Sequence, residues 1–307
     1  MKPRILIIRG GAIGDFILTL PALGLVREAF PAAHIEIIGY RHIVALAEGR
    51  FYADASRSIE YGPLAGFFAR NGTLDEELRD YFGGFQQVIS YLFDPDRIFE
   101  TNLARCGVKH YLNAHVRIDD TAHASQQLAR PLQQMALYLE AAAAVLHPTE
   151  DDRQAAELIR PKGDGDFITI HPGSGSPRKN WPAERWRQLI EHLLAQGRRL
   201  VMVGGEADGK PLSELESAFA GTVQIVRDLP LPQLGALLAR SSSFIGHDSG
   251  ISHLAAAAGA RCVLLFGPTD PAIWAPVNKA VSVMEAPDGD LQNLTIERVI
   301  ETIELKP

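Results

Sequence analysis

Short apolar runs alternate along this chain with longer segments in which apolar residues recur every three or four positions. Residues 5–8 (Ile-Leu-Ile-Ile) are uninterrupted hydrophobic, as a strand buried on both faces requires. Over 16–30, Leu18, Leu20, Leu23 and Val26 mark the apolar face of a helix that Pro31 closes. The pattern then predicts a strand at 34–38, a short helix at 42–48, a strand at 88–93 and a helix at 97–105 stopped by Gly107. The Ala- and Leu-rich stretch 131–146 predicts a long helix with Pro131 in its first turn. A charged segment with Pro and Gly, 147–166, interrupts the rhythm and predicts the crossing between two domains.

The alternation then restarts. Strands are predicted at 167–170, 199–203, 223–226, 243–245 and 262–266, and helices at 183–196, 211–219, 231–240, 250–258 and 291–303. Strands alternating with helices imply parallel sheets built from right-handed crossovers. Two such halves predict an α/β chain of two doubly wound domains facing each other. Ligands are then expected in the cleft, at the carboxyl ends of the strands.

Composition narrows the function classes. At 307 residues the chain is comfortable for two cores, and its 46% hydrophobic and 22% charged residues are ordinary for a globular protein. A net charge of -7 is no electrostatic match for nucleic acid. A local basic patch for an anionic substrate or membrane surface remains compatible with it. Cys106 and Cys262 are far apart with no C-x-x-C spacing, which argues against a zinc site or disulfide framework and fits a reducing cytoplasm. The apolar run at 5–8 is short for a signal peptide, and no stretch reaches the ~18 apolar residues of a membrane helix. A soluble chain, at most peripheral on a membrane, is expected.

Four loops carry candidate chemistry. In "FIGHDSGISHLAAAAGARCVLLFGPTDPAIWAP" (244–276), Gly246 permits a tight turn, and Asp248 or Ser249 can cap a helix whose free N–H groups would seat a diphosphate. His253 falls on the face of Ser249 and Gly250; a capped core helix reads equally well. "HPGSGSPRKNWP" (171–182), with Gly173, Ser174 and Lys179, has phosphate-loop composition without Walker spacing, and also suits a solvated turn. In "VMVGGEADGK" (201–210), Glu206 or Asp208 can accept from ribose hydroxyls. "RGGAIGD" (9–15) has Gly10, Gly11 and Gly14 at the wrong spacing for a dinucleotide fingerprint, and "IIGYR" supplies no acid, so hydride transfer is disfavoured. Asp15 either caps the first helix or serves as a general base. "FDPDR", with Asp94 and Asp96, reads as a turn ahead of a metal site, and no metal ligand set is expected.

In this order the loops resemble glycosyltransferase family 9, the ADP-heptose:lipopolysaccharide heptosyltransferases. "ILIIRGGAIGDFILTLPAL", "IHPGSGSPRKNWPAERWRQLI", "VMVGGEAD" and "IGHDSGISHLAAAAGARCVLLFGPTDPAIWAP" carry the resemblance. It implies a GT-B fold of two Rossmann-like domains: an acceptor-side domain at 1–155, a nucleotide-sugar domain at 156–290, and a terminal helix at 291–307 crossing back to the first. It implies an inverting transfer without metal or cofactor, from a nucleotide sugar such as an ADP-sugar to a glycolipid or saccharide acceptor. The setting is the cytoplasm, with peripheral contact at the inner membrane. Asp15 matches the catalytic aspartate and Lys179 the phosphate-binding lysine. Gly173, Ser174, Asp248, Ser249, Gly250 and His253 match the donor site, with Glu206 near the ribose. Gly11 and Gly14 then keep the acceptor-side loop slim. The chain departs from the family at His247, where asparagine is common, at Arg261, where proline is common, and over 61–85, which matches no motif. The stretch "YFGGFQQVISYLF" is expected to end in a buried strand whose exposed remainder can line an acceptor pocket. A GT-B sugar-nucleotide epimerase and a non-catalytic nucleotide-sugar binding protein are the alternative readings.

Overall fold

The computed structural model describes residues 2–163, 165–205 and 209–304. The chain divides into two compact units, Met1–Ala142 and Ala143–Pro307. In the first, strands β1 (Arg4–Ile8), β2 (His34–Gly39), β3 (Ala55–Ser58), β4 (Gln87–Ser90) and β5 (Tyr111–Asn113) form one sheet in the order β3-β2-β1-β4-β5. All its pairings are parallel. Its helices are α1 (Ile13–Ala29), α2 (Arg41–Val44), α3 (Glu76–Gly83), α4 (Ile98–Arg105) and α5 (Ala124–Ala129). Central β1 is buried on both faces, the reason its apolar run is unbroken. Leu6, Ile8 and Val88 pack with Phe67, Phe82, Phe85 and Phe99 in one core cluster of this unit.

The second unit repeats the plan. Strands β6 (Phe167–His171), β7 (Arg199–Gly204), β8 (Gln224–Arg227), β9 (Ser243–His247), β10 (Cys262–Phe266) and β11 (Val281–Glu285) lie in the order β11-β10-β9-β6-β7-β8, again parallel. They are accompanied by α6 (Glu150–Ile159), α7 (Ala183–Ala195), α8 (Gly209–Ala218), α9 (Leu231–Leu238), α10 (Gly250–Ala257), α11 (Pro271–Trp274) and α12 (Ile296–Glu304). In each sheet the chain first builds outward on one side, then returns to build on the other. The reversal falls between β1 and β4 in the first sheet and between β6 and β9 in the second. Loops leaving the carboxyl ends of such neighbours diverge and leave a crevice, where doubly wound sheets bind ligands.

One expectation is corrected. The long helix at 131–146 does not form: α5 gives way to a 3-10 turn (Arg130–Met135), which ends at Ala136 in the left-handed region, φ 58°. Beyond it Tyr138 and Val145 are exposed, so the apolar spacing there does not mark a core face. The division falls at 142/143, ahead of the expected 155/156. Residues 150–159 are one helix, started by a reciprocal cap in which Thr149 accepts from Asp152 N (3.2 Å) and Asp152 accepts from Thr149 N (2.8 Å). Helix α12 packs against α7 in the second unit. Ile296 and Val299 join the core of Trp181 and Trp186, and Ile300 and Ile303 pack on it. Among the described residues no helix is long and apolar enough to cross a membrane.

Candidate functional site

At the second sheet's reversal point, β6 delivers His171 and the loop after it, while β9 delivers His247, Asp248 and Ser249. Gly246 is required by packing, since a Cβ there would sit 2.8 Å from the Phe244 ring and 3.1 Å from Ser252 Oγ. Ser249, in extended backbone, caps α10 by accepting from Ser252 N at 3.3 Å, and its hydroxyl lies 3.4 Å from His171 Nδ1. The Ser252 hydroxyl donates to His247 O. The first turn of α10 therefore opens at the carboxyl end of β9 with the partial positive charge of a helix N-terminus.

Lys179 reaches the same point from the β6–α7 loop. Its Nζ donates to Asp248 Oδ2 at 2.6 Å, and Thr269 Oγ1 donates to the same oxygen at 2.7 Å. Asp248 is only 7% exposed, so a nearly buried carboxylate holds a partly exposed ammonium group in place. An ammonium has three donors, so this bond leaves Lys179 able to bind a phosphate oxygen as well. The loop is internally organised: the Ser174 hydroxyl donates to Ser176 O at 2.8 Å, and Gly175 takes φ 70°.

His247 ties the two loops together. Its Nε2 accepts from Trp181 N at 2.8 Å and from Trp186 Nε1 at 3.3 Å, while Nδ1 lies 3.3 Å from Gly173 O. Two N–H donors can converge on Nε2 only if it carries a lone pair. The ring is therefore the Nδ1–H tautomer, donating to the Gly173 carbonyl.

In the first unit, β1 leads into residues 9–15 beside β4. Asp15 Oδ2 accepts from Ala12 N at 2.9 Å, so the carboxylate does cap α1. Its Oδ1 faces the Arg9 guanidinium at 3.9 Å. Arg9 is largely buried and donates to Asp15 O (3.0 Å) and Thr19 Oγ1 (2.9 Å). Burial pulls its basicity below the ordinary value, and Asp15 works against that. The Asp15 side chain is nonetheless 44% exposed, open to a substrate. Gly11 has φ 98°, and a Cβ on it would lie 2.9 Å from Asp15 Oδ2. Glycine is thus needed both for the turn and for the carboxylate.

The model of glycosyltransferase family 9 (heptosyltransferase) matches residues 108–303. The chain belongs to glycosyltransferase family 9. It is 24% identical to lipopolysaccharide heptosyltransferase 1 of Escherichia coli K12 over 98% of this chain and 99% of that one. Among solved structures, the family 9 glycosyl transferase from Veillonella parvula superposes with a TM-score of 0.81 at 21% identity, over 99% of this chain and 96% of that one. Escherichia coli heptosyltransferase WaaC with ADP-2-deoxy-2-fluoro heptose superposes with a TM-score of 0.71 at 22% identity, over 99% and 100%. The fold is accordingly GT-B-like, and the chain is a glycosyltransferase of the heptosyltransferase family.

Within this family 9 chain the structure brings Gly173, Ser174, Lys179, Asp248, Ser249, Gly250 and His253 to one end of the second sheet, and Gly11, Gly14 and Asp15 to one end of the first. His253, 5% exposed, lies in the first turns of α10. Glu206 and Asp208 lie outside the described residues. Asp94 accepts from Ile98 N at the start of α4, and Asp96 pairs with Arg70 at 3.2 Å. Sequence reasoning passed over Thr269 and Arg9, and treated His247 only as a departure. Thr269 sat inside a quoted signature, "GPTDP". Nothing in the spacing signals that His247 meets Trp181 and Trp186, because the contact spans two loops more than 60 residues apart.

Proposed function

We propose that this enzyme transfers heptose from ADP-heptose to a hydroxyl of the lipopolysaccharide core, with inversion and without a metal. The observation that carries this reading is the meeting of Lys179, Asp248 and the capped N-terminus of α10 at the β6/β9 reversal point of a family 9 chain. The solved heptosyltransferase WaaC with ADP-2-deoxy-2-fluoro heptose supports the choice of donor. Lys179 and the α10 N–H groups neutralise the diphosphate as it leaves, and Gly173 and Ser174 line its loop. Glu206 accepts from the ribose hydroxyls. Asp15 removes the proton from the acceptor hydroxyl as its oxygen bonds the anomeric carbon and the bond to ADP breaks. Such base assistance contributes roughly 10²–10⁴ in rate. The enzyme works at the cytoplasmic face of the inner membrane as a peripheral protein.

The test is heptose transfer from ADP-heptose to heptose-deficient lipopolysaccharide, followed by mass spectrometry and anomeric NMR of the product, with and without EDTA. Asp15→Asn should lose turnover while keeping its ADP affinity and melting temperature. Near-normal turnover in that variant would remove Asp15 as the base. Donor processing without acceptor would point to an epimerase, and ADP-heptose binding without any turnover to a binding protein.

A further inference from the structure

Phe93 is the most exposed aromatic residue among the described ones, at 73%, and neither the core nor the donor site uses it. It lies just past β4, and β4 and β1 are the pair at which the first sheet reverses its order. The β1–α1 turn carrying Asp15 touches this segment: a Cβ on Gly10 would lie 3.5 Å from Leu92 Cδ2. His115, just past β5, packs against Phe93 with ring centroids 5.1 Å apart and planes at 54°.

The chain on either side of the two rings is fixed by hydrogen bonds. Asp94 fixes the turn after Phe93 by accepting from Ile98 N at 2.8 Å and Glu100 N at 3.0 Å. His115 N donates to Asn113 Oδ1 at 3.1 Å, and its ring Nδ1 lies 3.4 Å from Tyr91 O. A carbonyl only accepts, so as a hydrogen bond this contact requires the proton on Nδ1. The result is an exposed aromatic face beside an imidazole, at the end of the sheet where doubly wound units take ligands. A saccharide presents matching chemistry. The C–H groups of one ring face carry partial positive charge suited to the negative face of an aromatic ring, and its hydroxyls donate at the rim.

We propose that Phe93 and His115 form a stacking platform that holds a sugar ring of the acceptor beside the Asp15 loop. This rests on the reading above for its consequence in transfer, and its binding step is separable from it. Preorganisation by Asp94 and Asn113 means that little ordering cost accompanies binding. The platform sets which face of the acceptor is presented, and so which hydroxyl meets Asp15.

The experiment uses the full chain and one probe, the deacylated oligosaccharide of heptose-deficient lipopolysaccharide. Its binding is read by saturation-transfer NMR titration without donor, in the wild type and in Phe93→Ala, Phe93→Leu, Phe93→Trp and His115→Ala. Phe93→Ala should weaken binding about tenfold, as expected for a lost ring stack. Phe93→Leu should stay weak, Phe93→Trp should restore binding, and His115→Ala should weaken it less. Saturation transfer should fall on the C–H protons of one sugar face. Wild-type affinity in Phe93→Ala, equal affinity in the Leu and Trp variants, or no binding by the wild type would each overturn the platform. Transfer from ADP-heptose is measured separately. Phe93-dependent binding without transfer would leave the platform and sink the enzymatic reading. Transfer with Phe93-independent binding would do the reverse. Phe93 is on the surface, so thermal melting of the variants should match the wild type.

Discussion

His247→Ala is the perturbation that tests the donor loop most directly. His247 is fully buried and accepts the backbone N–H of Trp181 and the indole N–H of Trp186 on one nitrogen. Trp181 and Trp186 are themselves 2% and 1% exposed, so water does not readily replace the lost acceptor. A buried donor left without a partner costs about 1–3 kcal/mol. The 2.8 Å bond to Trp181 N belongs in the middle of that range and the 3.3 Å contact to Trp186 at its lower end. Together with the void left by the ring, the change should cost about 3–4 kcal/mol. For a unit of this size that corresponds to a fall of about 6–16 °C in melting temperature. Differential scanning fluorimetry provides the assay, with His247→Gln and His247→Asn as internal controls. The Gln amide oxygen reaches the position of Nε2 and should restore part of the loss. The shorter Asn reaches only the position of Nδ1 and should resemble Ala. If Ala melted within about 2 °C of the wild type, less than one unsatisfied donor is worth, the pinning role would be refuted. Equal melting of Gln and Ala would refute the Nε2 acceptor.

Three further outcomes follow from the geometry. Lys179→Ala should weaken ADP binding about 10- to 100-fold by calorimetry, the value of a charge-assisted hydrogen bond; unchanged affinity would remove the lysine from the phosphate site. Burial acts upward on Asp54, but the Arg27 hydrogen bond (2.7 Å), the Ile35 N–H (2.8 Å) and the charges of Arg27 and His34 outweigh it and hold the carboxyl below its ordinary range. A depressed carboxyl stabilises above its unfolded pKa, near 3.9, and that contribution is lost as pH falls through the folded value. The melting gap between wild type and Asp54→Asn should therefore narrow as pH falls below about 4, and a gap that widened there would contradict the pairing. Burial pushes the Cys262 thiol up to about 12 and also raises half-buried Cys106. Iodoacetamide at mildly alkaline pH should label Cys106 in the native protein and Cys262 only after unfolding, as read by peptide mass spectrometry.

Much of the site was legible before the fold, because its parts are local. "RGGAIGD" follows a strand and opens a helix, so a carboxylate at its end must either cap or face the crevice. Asp15 does the first and remains exposed enough for the second. The cap at Ser249 was likewise legible from the break between β9 and the alanine-rich helix. Residues 131–146 misled for a related reason. Their spacing repeats like a helix, but the chain there leaves one unit for the next, and no continuous core face exists to reward the pattern.

The sequence alone thus determines most of the strands and helices, and that glycine turns follow two of the strands. Hydrophobic period and turn chemistry act over a few residues and need no partner. The order of strands in each sheet decided everything else. Placing β9 beside β6 carried Asp248 to Lys179 and His247 to Trp181 and Trp186. Placing β4 beside β1 carried Leu92 to the Asp15 loop, and β5 beside β4 carried His115 to Phe93. Those pairs are brought together by sheet registry and by the burial of distant helices. The contacts of Asp248 and His247 satisfy buried donors and charges that no local stretch of the chain could satisfy by itself.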